Sequence, residues 1–183
     1  MNRIVDTKSK FTIERDESGL GWSLYGELVG VTEDGEFLPT PVAALTQAFL
    51  LPDPDPEDVD LYDYADAVSG DAVLAVDTLL ATIEANGDDC EVFLPSWLHL
   101  GTVEVEEPYR GQKLSLRLVG GLIDFIEGLS MGRFVITAIC DETLASHWNG
   151  VGLVSWKRVR CEDSSIYYLT RVTGDLEGLS TPT

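Results

Sequence analysis

The sequence predicts an α/β chain, α+β by strict classing, in which a mixed, mostly antiparallel twisted sheet is flanked by helices. Three observations predict it. Apolar and polar residues alternate with period two at 11–15, 22–29, 98–105, 153–160 and 165–171, the pattern of strands with one covered face. Two longer stretches, 71–86 and 114–129, carry apolar residues at helical spacing. The run 133–140 is almost wholly apolar, as suits a strand covered on both faces.

The 183 residues, 44% of them hydrophobic, fit a single domain, 1–183, able to bury a core. No apolar run is long enough to span a bilayer, and the start, Met1-Asn2-Arg3-Ile4-Val5-Asp6, lacks the apolar centre of a signal peptide. A soluble, cytoplasmic protein without membrane contact is expected.

Taken in order, 11–15 and 22–29 flank the turn residues Glu17, Ser18 and Gly19, which reads as a hairpin. Asp34-Gly35 marks a further turn. Thr40 followed by Pro41 has the form of a helix cap and first helical residue, so 42–50 is expected to be a helix. In 52–58, Pro52, Pro54 and Pro56 each remove a donor and restrict the residue before them, leaving a stiff acidic loop without the EF-hand pattern. Asp60, Asp63 and Asp66 repeat along one side of a short helix. The helix over 71–86 ends at Asn86-Gly87 in the preferred manner. A strand starting at 90–94 is interrupted by Pro95, and the next spans 98–105. Past the helix of 114–129 and the strand of 133–140, Asp141 or Thr143 caps a short helix ending at Trp148. The segments 153–160 and 165–171 pair as a closing hairpin, and the polar tail 174–183 is expected to be mobile.

Charge is unevenly placed. The formal net charge is −20, from 12 Lys and Arg against 32 Asp and Glu, and no cation stands between Arg15 and Arg110. That half would repel phosphates, which excludes direct nucleic-acid binding by it. Solubility, attraction of a cationic amine or basic peptide, and imitation of nucleic-acid charge toward a DNA-binding partner all remain compatible with it. Cys90, Cys140 and Cys161 are an odd number without metal-ligand spacing and read as reduced core residues.

The chain is organised around 98–129. The alternating run meets a break at Glu107-Pro108, and Tyr109-Arg110-Gly111-Gln112-Lys113-Leu114-Ser115 opens the apolar-periodic helix: strand, tight turn, helix. Glycine in such a turn lets backbone approach a ligand, and the helix start exposes N–H groups with partial positive charge, which suits phosphate. Arg110, Lys113 and Arg117 add three cations at that end.

The run Val105-Glu106-Glu107-Pro108-Tyr109-Arg110-Gly111-Gln112 resembles the pyrophosphate-binding motif of the GNAT superfamily, the acyl-CoA-dependent N-acyltransferases. Their pattern is Arg/Gln-x-x-Gly-x-Gly/Ala after a strand reading Val-x-Pro-x-Tyr-Arg-Gly. Ala145-Ser146-His147-Trp148 followed by Gly152-Leu153 is similar to the family's Ala-x-x-x-Tyr-x-x-x-Gly-Phe. The two cover roughly 98–172. Lys113 and Ser115 depart from the pattern, standing where the family has Gly and Gly/Ala, and Trp148 stands where it has Tyr. An indole N–H donates but is no general acid near neutral pH.

The resemblance implies a GNAT-like sheet and acetyl-CoA, or another acyl-CoA, as co-substrate. Its pyrophosphate would be held by Arg110, Gly111, Gln112, Lys113, Leu114 and Ser115, and backbone groups of Val103 and Val105 would hold the pantetheine and acyl carbonyl. Acyl transfer to an amine also needs a proton acceptor. The candidates are His99, Glu104 and Glu106, on or just after that strand; alternation puts His99 on one face and both glutamates on the other. Tyr167 and Tyr168 are the nearest replacements for the missing phenol.

The implied function is N-acyl transfer to an amine of a small molecule or protein, with a cationic acceptor as partner. The alternative is a catalytically degenerate protein on the same scaffold, whose acidic half holds a basic partner or mimics DNA. Lys113 separates the two: paired with Glu106 or Glu107 across the turn it shuts the pocket, and unpaired it leaves the helix start open.

Overall fold

The computed structural model describes residues 4–17, 19–55, 58–85, 94–129, 134–160 and 165–173. The expected end of the helix at Asn86-Gly87, the strand start at 90–93, Cys90, Cys161 and the tail 174–183 lie outside them.

Strands β1 (Ile4–Arg15) and β2 (Trp22–Thr32) form the first hairpin, longer than the alternation alone marks. The next element corrects the sequence reading. Residues 43–51 are not a helix but β3 (Ala43–Leu51), antiparallel to β2. Thr40-Pro41 has helix-start chemistry, yet Ala43, Leu45, Ala48, Phe49, Leu50 and Leu51 are all buried. A strand covered on both faces shows no polar face, so its apolar run carries no period to separate it from a helix.

Helix α1 (Leu61–Val68) starts where the Asp60 carboxylate accepts from the amides of Tyr62 and Asp63. Its buried Tyr64 donates to Asp16 Oδ2 at 2.7 Å, tying α1 to the first hairpin; burial first, then this bond, pushes the phenol pKa up. Helix α2 (Gly70–Ala85) follows and buries Ala72, Ala75, Val76, Leu79 and Ile83.

The single strand expected at 98–105 is two, β4 (Ser96–Leu100) and β5 (Val103–Val105). Helix α3 (Leu114–Gly128), β6 (Phe134–Asp141), α4 (Glu142–Trp148) and the closing hairpin of β7 (Val154–Arg160) and β8 (Ser165–Thr173) complete the chain. Asp141 is the α4 cap, its carboxylate accepting from the Leu144 amide at 3.0 Å. The sheet runs β1-β2-β3-β4-β6-β8-β7, with β5 paired to β3, and only β4 and β6 are parallel.

Helices cover both faces. Phe49, Leu51, Trp97 and Val135 pack with Leu61, Tyr64, Val76 and Leu79 on the α1–α2 side. Leu45, Leu50, Leu98, Leu100, Ile136 and Leu169 pack with Leu114, Leu118, Leu122, Ile126 and Trp148 on the α3–α4 side. The edge strands carry Lys8, Lys10 and Arg15 on β1 and Lys157, Arg158 and Arg160 on β7, charges that discourage edge-to-edge pairing. No helix among the described residues is long and apolar enough to cross a membrane.

The break between β4 and β5 sets up the site. Leu98 and Leu100 face α3, and so do Val103 and Val105 after it. Strict alternation would have sent 102 and 104 there, so the chain gains one residue at the break. Strand β3 makes the matching step, with Ala43 and Leu45 and then Ala48 and Leu50 facing α3. Glu104 therefore shares a sheet face with Trp97 and His99. The opposite-face arrangement that alternation predicts is corrected by this extra residue.

Candidate active site

Parallel pairing of β4 with β6 stops at Leu100 and Ala138. Beyond it β5 pairs with β3 and β6 pairs with β8, so the sheet divides. A cleft of about 910 Å³ opens there. Its walls are Thr40, Pro41, Ala43 and Ala44 leading into β3, Val103, Glu104 and Val105 of β5, and Glu106, Glu107 and Arg110 of the turn. Ser115 from α3 and Leu144, His147 and Trp148 from α4 close it.

The turn is built by two left-handed residues. After the single 3-10 turn Glu107–Tyr109, Gly111 has φ +83° and Lys113 φ +57°. Glycine adopts such a φ freely, whereas lysine is strained by about 1 kcal/mol. Burying Leu114, Leu118, Leu122 and Ile126 on α3 stabilises by roughly 2 kcal/mol each and outweighs that strain. Lys113 caps α3 without a side-chain hydrogen bond. The amides of Leu114, Ser115 and Leu116 precede the first intrahelical bond, Arg117 N to Lys113 O at 3.2 Å. Among the described residues Lys113 forms no ion pair with Glu106 or Glu107. The helix start is open.

Of the residues singled out in the sequence, Val103, Glu104, Val105, Glu106, Arg110 and Ser115 line this cleft. Arg110 Nε donates to the Val105 carbonyl at 3.2 Å, folding the side chain back over β5. Gly111, Gln112 and Lys113 are exposed at the rim. Leu114 is buried in the core and offers the cleft only its amide. Thus Glu104, Glu106 and Glu107 line the cleft with Arg110 among them, and Lys113 and Arg117 add charge at the start of α3.

His99 does not join them. It is 2% exposed, tilted against the Phe49 ring and edge-on to Trp97. Trp97 Nε1 donates to Thr137 Oγ1 at 2.8 Å, and His99 Nδ1 shares a hydrogen bond with the same hydroxyl at 3.0 Å. Burial lowers the imidazole pKa to about 4. This is a neutral core histidine.

The other histidine holds the position in the cleft. His147 Nε2 lies 2.8 Å from Ser115 Oγ, linking α4 to α3. Trp148 is buried beneath it, ring centroids 5.1 Å apart. His147 and Ser115 are 32 positions apart, and no local spacing marks them as partners. Thr40 and Pro41 were hidden by their helix-start chemistry. Tyr167 and Tyr168 lie off the cleft, Tyr167 donating to Glu142 at 3.2 Å and Tyr168 buried under Lys157. Cys140 is half-buried near the end of β6, where burial and then Asp141 push its thiol up to about 11, away from nucleophilic use.

No family model matches the sequence, and no curated protein matches it. The fold is similar to solved N-acetyltransferases. Against a NatC complex bound to Gag peptide and CoA, identity is 14% and the TM-score 0.42, covering 80% of this chain and 69% of the other. Against NAA60 of Arabidopsis thaliana in complex with acetyl-CoA the figures are 10%, 0.46, 81% and 75%. Against mosquito arylalkylamine N-acetyltransferase-like 5b they are 15%, 0.48, 86% and 76%. What the cleft does is therefore read from its own residues.

Proposed function

We propose that the protein is a divergent GNAT-type N-acyltransferase, moving an acyl group from acyl-CoA, acetyl-CoA in the simplest case, to an amine of a cationic small molecule or protein. The observation that supports it is the cleft where the sheet divides, which is bordered both by the start of α3 at Ser115 and by the carboxylates of Glu104, Glu106 and Glu107. Phosphates belong at the start of α3: Arg110 and Lys113 supply charge, and the backbone of 111–115 supplies donors. Val103 and Val105 offer an apolar wall to the pantetheine arm.

The three carboxylates suit an ammonium, which must lose a proton before it attacks. Glu104, with Glu106 beside it, accepts that proton through water. The amine nitrogen then bonds to the thioester carbonyl carbon, the carbon–sulfur bond breaks, and the thiolate takes up a proton as the amide forms. A cytoplasmic location, where thiols stay reduced, fits the free thiol of Cys140.

Among the described residues Lys113 pairs with neither Glu106 nor Glu107, which weighs against a shut pocket, so the degenerate-scaffold reading gains no observation here. The test is thiol release from acetyl-CoA against a panel of polyamines, arylalkylamines and a lysine-rich peptide, with products weighed by mass spectrometry. Amine-dependent release with an acetyl mass increment on one acceptor is expected. Absence of transfer to every acceptor, with no binding of acetyl-CoA, would overturn the reading.

A further inference from the structure

The two edges of the sheet differ in charge. Edge strand β1 mixes signs, with Asp6 and Glu14 among Lys8, Lys10 and Arg15, and Lys10 faces Glu27 at 4.0 Å. Edge strand β7 holds no acidic residue, yet three of the chain's 12 Lys and Arg stand on its 7 residues. Among the described residues β7 pairs with β8 alone, which leaves its outer row of N–H and C=O groups open. A basic edge repels another basic edge and attracts an acidic one.

The cations of β7 stand on both faces of that edge. Lys157 is paired in register with Tyr168 and Arg158 with Tyr167. Neighbours on β8 point to opposite faces, so Lys157 lies on one face, and Arg158 with Arg160 on the other. Lys157 Nζ sits 5.7 Å from the ring centroids of both Trp156 and Tyr168, and Arg158 Cζ 5.4 Å from that of Tyr167, so aromatic rings hold two of the cations in place. Glu142 and Ser165 already engage Arg158, at 3.6 and 3.1 Å. Lys157 and Arg160 are exposed and form no ion pair among the described residues.

We propose that β7 is a docking edge for an extended acidic segment of a partner protein, which adds to the sheet as one more strand. Main-chain hydrogen bonds to β7 supply the affinity. Side chains of the added strand alternate between faces, so its carboxylates meet Lys157 on one and Arg160 on the other. A nucleic acid matches this edge less well, because phosphates only accept hydrogen bonds and leave the outward carbonyls of β7 without donors. The net charge of −20 opposes an acidic partner at long range, but salt screens it beyond about 8 Å, whereas cross-strand side chains meet at about 5 Å.

The probe is a fluorescein-labelled peptide of about eight residues, strand length, that alternates glutamate and threonine. Fluorescence anisotropy of its titration with the full chain at about 50 mM salt is expected to show saturable binding. Affinity falls about tenfold in the double variant Lys157→Glu, Arg160→Glu. A peptide with proline in place of threonine keeps the charge but loses donors to the ladder, and binds about tenfold more weakly. A single-stranded oligothymidylate of equal charge also binds more weakly than the glutamate peptide. If the double variant unfolds, Lys157→Gln, Arg160→Gln carries the test, with a loss of about threefold. Absence of glutamate-peptide binding by the wild type, or equal binding by the variants, overturns the docking edge. Equal binding of the proline peptide overturns strand addition, and equal or tighter binding of the oligothymidylate overturns the choice of a protein partner. Acetyl-CoA plays no part in the experiment, so the acyltransferase reading stands or falls separately.

Discussion

A methyl group on Gly101 would fall 2.4 Å from the carbonyl oxygen of Gln47, the oxygen to which the Gly101 amide donates at 2.8 Å. This close approach of two strands sits where β4 becomes β5, at the extra residue that turns Val103 and Val105 inward and lets the sheet divide. Only glycine fits it. Gly101→Ala is expected to destabilise by about 1–3 kcal/mol, the cost of overpacking against backbone, read from the urea midpoint. A change under about 0.5 kcal/mol would mean that the break is not fixed by this contact.

Gly111 and Lys113 give effects of opposite sign. At Gly111 a Cβ meets nothing within 4 Å, so Gly111→Ala pays only for the left-handed backbone and costs about 1 kcal/mol. At Lys113 the strain is already present, and Lys113→Gly gains roughly 0.5–1 kcal/mol. Chemical denaturation of both variants measures the pair, and two shifts of the same sign would contradict the turn geometry.

His99 makes stability depend on pH. Its folded pKa of about 4 lies below the ordinary 6.5. Above pH 6.5 both states are neutral and the contribution is complete; as pH falls, the unfolded chain takes up a proton that the folded chain resists. Stability is therefore lost between about 6.5 and 4, by roughly 3 kcal/mol in all. Urea melts across that window check it, and His99→Asn, which can still hydrogen-bond to Thr137, should lose about 3 kcal/mol less over the same window. Equal slopes would mean that His99 is not held neutral by burial.

The helices and most strands were legible because their periods are local. The leucine stripe of α3, the Asp141 cap and the 165–171 alternation each need only neighbours in sequence to be seen. Strand β3 was not legible: buried on both faces, it shows no period, and Thr40-Pro41 imitates a helix start. Of the cleft lining, Glu104, Glu106, Arg110 and Ser115 were legible, because they follow one another along a strand, turn and helix. His99 misled because alternation says nothing about what covers a face, and the extra residue at Gly101 moved Glu104 to that same face. His147 meets Ser115 only once α4 has folded across α3, a contact written in no spacing.

Glu104 should matter to turnover more than to cofactor capture. Glu104→Gln is expected to lower kcat about a hundredfold at unchanged KM for acetyl-CoA, as loss of a general base does. Steady-state kinetics with the best acceptor measures it. Full kcat in both Glu104→Gln and Glu106→Gln would take proton removal away from these carboxylates.

The central claim is that acyl-CoA binds at the turn between β5 and α3. Calorimetric titration of the purified protein with acetyl-CoA, repeated for Arg110→Ala and at higher salt, tests it most directly. Dissociation in the micromolar range is predicted, about tenfold weaker in Arg110→Ala and weaker again as salt screens Arg110, Lys113 and Arg117. No heat and no thermal shift at millimolar acetyl-CoA would contradict it.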